Sequence, residues 1–470
     1  MIQRFLPALT LLAAGCAPNV RLAATPEIVS SQWRGGTLQS PAPTTLPAGP
    51  SERLADSLGS AELQRLTDRA LYANADLSAA VARIERARSA LHSARAAMLP
   101  VVSASAGASE TRTDDKNNSL FRFSEGFAGL DIGYDLDLSG TARANSRAAR
   151  ERVLAARSDR EALVLVVEAD VARSYVQYCT LGERIRLLDA SIADARELER
   201  VITLRFREGA ATRVDVGLQA VAARQLETDR SRLLEASQRT RDALALLTGA
   251  EAPIFAVDGT ELSRLVVPTP ATVQPGDLLV RRPDIRAAEA RIEAAAGDVV
   301  AARRAFLPGL HLSASLLGQA ARLTGPLGST LSAGAGLLAP IFDRSRLNGR
   351  LSFAAADQHE SVELYRKALL NALKEGEDAL AGVERSAERA RLIEDILANA
   401  ETTARLSRRQ YLEGDVDLRT VLDAQHLLIQ AQDARAIALE ERLDAAADLY
   451  AAMGGQPSRE VGPLQRTANR

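Results

Sequence analysis

Few residues of this 470-residue chain are spaced as a catalytic or metal-binding site requires. The two cysteines offer no thiolate cluster, and no zinc-ligand spacing joins the four scattered histidines, His92, His311, His359 and His426. A stretch at 334–339 weakly fits a dinucleotide-binding loop, but Pro340 follows at once and blocks the helix that this motif requires. We find no nucleophile elbow and no Walker loop in the sequence. We therefore expect no metal, no cofactor of this kind and no enzymatic activity.

Cys16 is the residue best placed for covalent modification. The stretch Met1–Cys16 has one basic residue, Arg4, and a short apolar run from Phe5 to Ala14, which is typical of an export signal and too short to span a membrane as a helix. Ala-Ala-Gly-Cys at 13–16 is similar to the bacterial lipobox, whose cysteine is acylated and becomes the mature N-terminus. We predict a signal peptide at 1–15, with a diacylglycerol and an acyl chain on Cys16. An ordinary export signal with an unrelated cysteine is the alternative.

Arg281 and Arg282 suggest an anion-binding site at first sight. Pro283 and Asp284 suit the first turn of a helix, so the arginines are better explained as salt-bridge partners at a helix start. The same region is also a second copy of an earlier one. Residues 76–100 align with residues 284–308, and thirteen of the 25 aligned positions are identical. The protein is therefore predicted to be two tandem copies of one unit.

The remaining sequence follows this duplication. A Pro-, Ser- and Thr-rich tether at 16–59 precedes repeat 1 at 60–249, and a linker at 250–282 precedes repeat 2 at 283–454. Each repeat is predicted to hold a helix, a β-hairpin and a long helical hairpin. In repeat 1 these hairpins cover 101–138 and 141–248, with the helical tip near 209; in repeat 2 they cover 309–342 and 346–452, with the tip near 414. A tail at 455–470 ends the chain.

Long proline-free segments are the most unusual physical feature. No proline occurs between Pro100 and Pro253, so Thr141–Arg207 can form one helix of roughly 100 Å. Helices of globular domains seldom exceed about 25 residues, so this length favours a coiled coil. The 3-4-3 spacing of a coiled-coil seam is present at Ile185, Leu188, Ile192 and Ala195.

The two predicted β-hairpins have long strands that alternate small or apolar residues with polar ones. Strands can cross a bilayer only as a closed barrel, and known single-chain barrels need at least about eight of them. One chain offers four, so several chains must build one barrel if these hairpins enter a membrane. The sequence thus predicts an oligomeric barrel continued by a tube of long helices, as in a periplasmic conduit. The net charge of −2 gives no electrostatic reason to expect nucleic acid as a partner.

Five short motifs resemble one known family. They are Leu-Leu-Val-Arg-Arg-Pro-Asp-Ile at 278–285, Tyr-Asp-Leu-Asp-Leu-Ser-Gly at 134–140, Pro-Ile-Phe-Asp at 340–343, Tyr-Leu-Glu-Gly at 411–414 and Thr-Val-Leu-Asp-Ala-Gln at 420–425. Over essentially its whole length the chain resembles the TolC-like outer-membrane factors, and within them the lipoprotein (NodT-type) branch of RND efflux systems. This resemblance implies a mainly α protein of the outer membrane. It further implies a homotrimer with a twelve-stranded β-barrel, a long periplasmic α-helical barrel and an equatorial collar from the linkers and termini.

The resemblance also implies a periplasmic gate, where acidic side chains ring an aperture at the helical tips. The matching positions are Asp423 and Thr420, and Thr420 replaces a residue that is commonly acidic, so one carboxylate layer is expected rather than two. A solvated aspartate on a helix face is the alternative for Asp423. A closed-state link between the two tips is implied for Asp215 and Tyr411, as a hydroxyl-to-carboxylate hydrogen bond.

The tips are also where the resemblance implies partners. Gly209 and Gly414 are expected to form the turns near the contact with a periplasmic adaptor protein, which in turn joins an inner-membrane RND transporter. The chain would conduct drugs or other small toxic compounds passively from the periplasm to the exterior. Two alternatives remain at this point: an exit duct for another export system, and an envelope coiled-coil scaffold lipoprotein without a pore. The scaffold would explain the long helices but not the four strands.

Overall fold

The computed structural model describes residues 53–455, except 115–119, 260, 269–274, 321–325 and 327, together with Trp33. Cys16, its leader, nearly all of the predicted tether and the C-terminal tail lie outside the described residues. The side chains of residues 112–114 and 120–123 are not described either.

Repeat 1 begins with two helices, whereas the helical pattern from Ser60 to Met98 predicts a single one. The break falls at Asn74, whose backbone is extended and whose Oδ1 accepts from the N–H groups of Asp76 and Leu77 at 2.9 and 3.1 Å. Asparagine favours this capping position because its side chain replaces the missing helical acceptor. A short helix, α1 (Leu54–Ser57), lies at the end of the predicted tether. The elements of repeat 1 are α2 (Ala61–Ala73), α3 (Ala75–Ala96), β1 (Val101–Asp114), β2 (Leu120–Leu136), α4 (Thr141–Arg207) and α5 (Arg213–Leu247).

Repeat 2 has the same order of helix, strand, strand and two long helices. A short helix, α6 (Leu278–Arg281), ends the linker, and the elements of repeat 2 are α7 (Pro283–Arg304), β3 (Gly309–Ala320), β4 (Gly328–Leu338), α8 (Arg344–Glu413) and α9 (Leu418–Ala452). The last strand was predicted to run to Phe342 but ends at Leu338, two residues before Pro340, which has no N–H to donate to a strand partner. The glycines at 334 and 336 lie inside β4, so the stretch at 334–339 does not form a phosphate-binding loop.

The four strands form one antiparallel sheet in the order β1-β2-β3-β4, so that the hairpins of both repeats join along β2 and β3. Cross-strand partners share a face of a sheet. One face carries apolar rows, for example Val102, Ile132, Ala314 and Ala333, next to Ala104, Leu130, Leu316 and Leu331. The other face is mostly small or polar, as in the row of Ser103, Asp131, Ser315 and Ser332, although Phe127 and Leu317 interrupt it. Leu130, Ile132 and Leu331 remain exposed on the apolar face.

The described residues divide into two compact units that do not follow the repeats. Unit 1 contains the sheet with residues 82–158 and 286–368. Its core includes Val299, Leu351 and Ala354, and α7 approaches α4 closely at Gly297, where an added Cβ would lie only 3.0 Å from the Cβ of Ala148. Each unit therefore draws on both repeats.

Unit 2 contains residues 53–81, 159–285 and 369–455 together with Trp33. Its largest apolar cluster surrounds Tyr175, which is completely buried and accepts a hydrogen bond from Ser60 Oγ at 3.1 Å. A second cluster places Trp33 against Leu278, Leu380 and Leu449. No helix in the described part of the chain is both long and apolar enough to cross a membrane.

The arginine pair of the repeat start lies in unit 2. The guanidinium of Arg282 is almost completely buried, bonds bidentately to Asp284 at 2.7 and 3.0 Å, and pairs with Glu375 at 2.7 Å. It also donates to the backbone oxygen of Ala452 at 3.1 Å. Both carboxylates and a helix-end carbonyl thus occupy its donors. The interpretation of Arg282 as a structural salt-bridge partner is confirmed.

Candidate functional site at the helical tips

The two helical hairpins turn at glycines, as predicted. Gly209 and Gly414 have φ values of +79° and +89°, in the left-handed region that favours glycine. Ala210 N donates to Arg205 O at 2.8 Å, and Asp415 N donates to Gln410 O at 2.8 Å. These are the long backbone bonds of a Schellman ending, which satisfies the last carbonyls of a helix. Both repeats therefore end their first long helix in the same way.

The returning helices begin with one pair of residue types in exchanged positions. In repeat 1 Thr212 is the N-cap of α5 and Asp215 completes a capping box, its carboxylate accepting from Thr212 N at 2.7 Å. In repeat 2 Asp417 is the N-cap of α9, and its Oδ1 accepts from Thr420 N at 2.9 Å and from Thr420 Oγ1 at 2.7 Å. Threonine and aspartate have thus changed places between equivalent positions, and each arrangement satisfies a free N–H at the helix start.

Asp417 carries the negative charge at the start of α9. The hydrogen bonds from the Thr420 hydroxyl and then from the Thr420 backbone lower its pKa below the usual range. An anionic side chain is also favourable at a helix N-terminus. Sequence reasoning overlooked Asp417 because it looked for a carboxylate at position 420. The signal was available, since an aspartate three residues before a threonine at a helix start is a capping pattern.

Thr420 and Asp423, the predicted gate residues, lie near the start of α9. Both are exposed, whereas Val421 and Ala424 beside them are buried. The hydroxyl of Thr420 is bound to Asp417, which gives it a capping role. Asp423 has no hydrogen bond or ion pair with another residue that the structure describes. Its exposed side chain is compatible with an aperture, and its role as a gate stays a prediction.

A small apolar core lies beneath the two tips. It joins α4 to the end of α8 and the start of α9 through buried side chains: Leu198, Ile202, Tyr411, Leu418 and Val421. Tyr411 is only 8% exposed. The tips of the two repeats are therefore packed against each other within one chain.

Arg205 reaches across this core from repeat 1 to repeat 2. Its guanidinium carbon lies 4.9 Å from the centroid of the Tyr411 ring, within the range of a cation–π contact. Its Nη1 donates to Tyr411 O at 3.4 Å, and its Nη2 donates to Leu412 O at 3.2 Å. A positive charge is favourable at these carbonyls because they form the negative end of α8. Sequence reasoning missed Arg205, since no local pattern shows that a side chain on one helix meets the end of another.

The predicted hydrogen bond between Asp215 and Tyr411 is not among those of the described residues. The carboxylate of Asp215 accepts from both the backbone and the hydroxyl of Thr212, each at 2.7 Å. Thr212 lies three residues before Asp215, which is the spacing that a capping box requires. The Tyr411 hydroxyl has no hydrogen bond to another described residue, and the link to Tyr411 comes from Arg205 instead.

Several carboxylates lie along the contact between α4 and α9 in unit 2. Arg184 binds Asp433 bidentately at 2.5 and 3.0 Å, and Arg173 pairs with Asp448 at 2.8 Å. Asp444 lies between these pairs, and its buried Oδ1 has no hydrogen-bond partner among the described residues. Burial, followed by the charges of Glu440 and Asp448, raises the pKa of Asp444 to about 7.

Two histidines make contacts of their own within unit 1 and unit 2 respectively. His311 Nδ1 lies 2.7 Å from Asp135 Oδ1 on the sheet, and His426 Nε2 lies 2.8 Å from Gln430 Nε2 on α9. Neither contact belongs to a group of three or more metal-ligand side chains within the described ranges. The tips therefore remain the candidate functional site.

Comparison with known proteins gives consistent matches over nearly the whole chain. The sequence model of the outer membrane efflux protein family matches residues 66–250 and 275–455. The chain is 34% identical over 414 residues to the pyoverdine export outer membrane protein OpmQ of Pseudomonas aeruginosa, covering 85% of this chain and 86% of that protein. It is 27% identical over 465 residues to the toluene efflux pump outer membrane protein TtgI of Pseudomonas putida, covering 95% and 96%.

Solved structures agree with the sequence matches. The MtrE outer membrane channel of Neisseria gonorrhoeae, in its open state, is similar with a TM-score of 0.82 and 25% sequence identity. The similarity covers 94% of this chain and 98% of that one.

Proposed function

Because the chain belongs to the outer membrane efflux protein family, we propose that it is the exit channel of a tripartite RND-type pump. Its location in the outer membrane and its part in efflux follow from the family itself. The finer proposal is that three copies form a passive channel for drugs or other small toxic compounds. A periplasmic adaptor and an inner-membrane RND transporter open this channel, and the chain performs no chemistry. An exit duct for a different export system is the second candidate.

The observation that carries the channel proposal is the two-faced sheet. One face is apolar and exposed, and the opposite face is mostly small and polar. Its strands contain 14, 17, 12 and 11 residues, whereas about 9–11 residues suffice to cross a bilayer. Four strands cannot close a barrel, so the sheets of several copies must join. In the proposed trimer they form one twelve-stranded barrel with lipid on the apolar face. A coiled-coil scaffold without a pore gives no reason for this pattern.

The cargo is set by the pump rather than by this chain. OpmQ is named for pyoverdine export and TtgI for toluene efflux, two compounds of different chemistry, although both resemble this chain over most of its length. Because related channels are named for such different compounds, their shared architecture does not determine the cargo. We therefore expect this chain to contact its cargo weakly.

The membrane anchor and the partner contacts complete the proposal. A diacylglycerol and an acyl chain on Cys16 anchor the chain in outer-membrane lipid, and the Cys16→Ser variant should lose acyl labelling while export continues. The turns at Gly209 and Gly414 meet the adaptor. Asp423 from each copy narrows the periplasmic end, with Thr420 beside it as part of the cap.

The experiment compares neighbouring residues on opposite faces of the sheet. Ala106→Arg places a charge well inside β1 on the face proposed to meet lipid, at a cost of roughly 2–4 kcal/mol near the bilayer centre, whereas Ser105→Arg places it on the polar face. Both side chains are exposed in the single chain. We expect Ala106→Arg to prevent insertion into outer membranes and Ser105→Arg to insert as trimers that conduct in planar bilayers. Equal insertion of both variants, or purified wild-type protein that conducts no current, would contradict the channel.

A further inference from the structure

Few side chains contribute to the contact between the two helical tips. Beyond the buried core beneath the tips, Leu204, Phe206 and Leu412 are 40–53% exposed, so they add little packing in one chain. Among the residues that the structure describes, the hydrogen bonds that cross from repeat 1 to the end of α8 come from Arg205. Separation of the tips must therefore break its stack on Tyr411 and both of its hydrogen bonds.

We infer that Arg205 is the positioning residue that holds the tip of repeat 2 against the tip of repeat 1 and keeps the channel closed at rest. This inference rests on the proposed function, because only a conduit gives the separation of the tips a consequence. The hydrogen bonds of Asp215 within the described part of the chain go to Thr212 rather than to Tyr411. Val416 has no charge with which to replace Arg205.

Arg205 contacts the ring of Tyr411 rather than its hydroxyl, and substitutions of Tyr411 can distinguish these two kinds of contact. Tyr411→Phe keeps the ring face and the backbone carbonyls, so it should leave the closed state unchanged. Tyr411→Leu removes the ring and should open the channel. A link between the Tyr411 hydroxyl and a carboxylate predicts the reverse for Tyr411→Phe, which would then open as far as Tyr411→Leu.

Arg205 itself is tested with two variants and one control. In planar bilayers containing purified full-length protein, Arg205→Ala should raise the open probability about tenfold, because one cation–π contact and two charged hydrogen bonds are lost. Arg205→Lys keeps the charge without the planar fork and should give a smaller rise. Arg207→Ala removes an exposed arginine from the same helix end and should resemble the wild type. Arg205→Ala combined with Tyr411→Leu should open no further than Arg205→Ala alone, because that change already removes the ring contact together with both hydrogen bonds.

These outcomes separate the inference from the proposed function. If the wild type forms no channels, the proposed function fails. If channels form but the Arg205 variants stay as closed as the wild type, or Arg207→Ala opens equally, the inference alone is overturned. Trimers that resist dissociation and unchanged thermal unfolding would show that the Arg205→Ala channels are intact. Open probability would then report the position of the tips.

Discussion

Asp444 is the residue whose charge is least compensated along the contact of α4 with α9. Four carboxylates of α9, Asp433, Glu440, Asp444 and Asp448, face a stretch of α4 whose arginines, Arg173 and Arg184, bind only two of them. Burial of a carboxyl group without a donor disfavours its charged form. The folded protein therefore holds a proton on Asp444 that the unfolded chain releases at lower pH.

The stability of the protein should therefore fall as pH rises from about 4 to 7. Below this window Asp444 is protonated in both states, and inside it only the folded state keeps the proton, because its pKa is raised from 3.8 to about 7. Across this pH window the titration of Asp444 should lower the free energy of unfolding by about 2 kcal/mol, a value reduced for solvent screening. Asp444→Asn should remove this decrease. The measurement is the unfolding temperature from pH 4 to 8. Glu168, with a pKa also near 7, keeps part of the slope in both proteins.

Asp433→Asn provides the control for this pH effect. Asp433 is paired with Arg184 and is not among the charges that raise the pKa of Asp444, so its replacement should lower stability without flattening the pH dependence. An Asp444→Asn protein with the slope of the wild type would show that the proton is held elsewhere.

Trp33 occupies a space that depends on the absence of a side chain. A Cβ at Gly376 on α8 would overlap the Trp33 ring. Gly376→Ala should displace Trp33 into water and lower stability by about 1–3 kcal/mol. The chain contains one tryptophan, so a red shift of its fluorescence reports this movement directly. Gly382→Ala on the same helix meets only Ala445 at 3.8 Å and should leave the emission unchanged; equal spectra for the two variants would contradict the fit.

The turns and helix ends differ in how far the sequence predicts them. Gly209 and Gly414 identify the turns because few other residues adopt their backbone conformation. The ends of α4 and α9 were likewise predictable, since proline-free segments bounded by such turns have few alternatives. The break at Asn74 was not, because an asparagine is compatible with both a helix interior and a cap until its Oδ1 is seen to accept.

The exchanged caps predict that either order of threonine and aspartate can start a helix at these tips, since both orders occur in this chain. Thr212→Ala should cost about 1 kcal/mol of stability through the loss of its cap on α5. The double variant with Thr212→Asp and Asp215→Thr recreates the arrangement of α9 and should cost little. Chemical denaturation of the wild type, Thr212→Ala and the double variant measures their free energies of unfolding. A double variant as unstable as Thr212→Ala would show that the two tips tolerate only their own order of residues.

For the whole molecule, the duplication predicts much of the fold because each copy confirms the other. Alternation within residues 101–138 and 309–342 likewise predicted both hairpins. What remained hidden were contacts between distant parts, such as Arg205 with Tyr411 and Trp33 with Gly376. Such contacts depend on how helices are arranged in space, and neither the periodicity nor the capping pattern of one helix contains that information.

The proposed gate belongs to the assembled molecule. If Asp423 from three copies surrounds one aperture, Asp423→Ala should raise conductance and reduce cation selectivity, because a ring of carboxylates favours cations. Asp395→Ala, which removes an exposed carboxylate from α8, provides the control. Single-channel conductance and reversal potential in a salt gradient measure both effects. A channel unchanged by Asp423→Ala would place this aspartate away from the aperture.

The pairing of β2 with β3 also determines the order in which the protein can be made. Leu136 pairs with Leu310, so the two halves of the sheet are separated by more than 170 residues of chain. Pairings between such distant segments form slowly, because a long loop must be closed before they stabilise anything. Until β3 has been exported, one edge of the long strand β2 has no partner, and this edge can pair with a strand of another chain. The protein is therefore most prone to aggregate after repeat 1 has been exported and before repeat 2 follows. This risk ends when β3 pairs with β2.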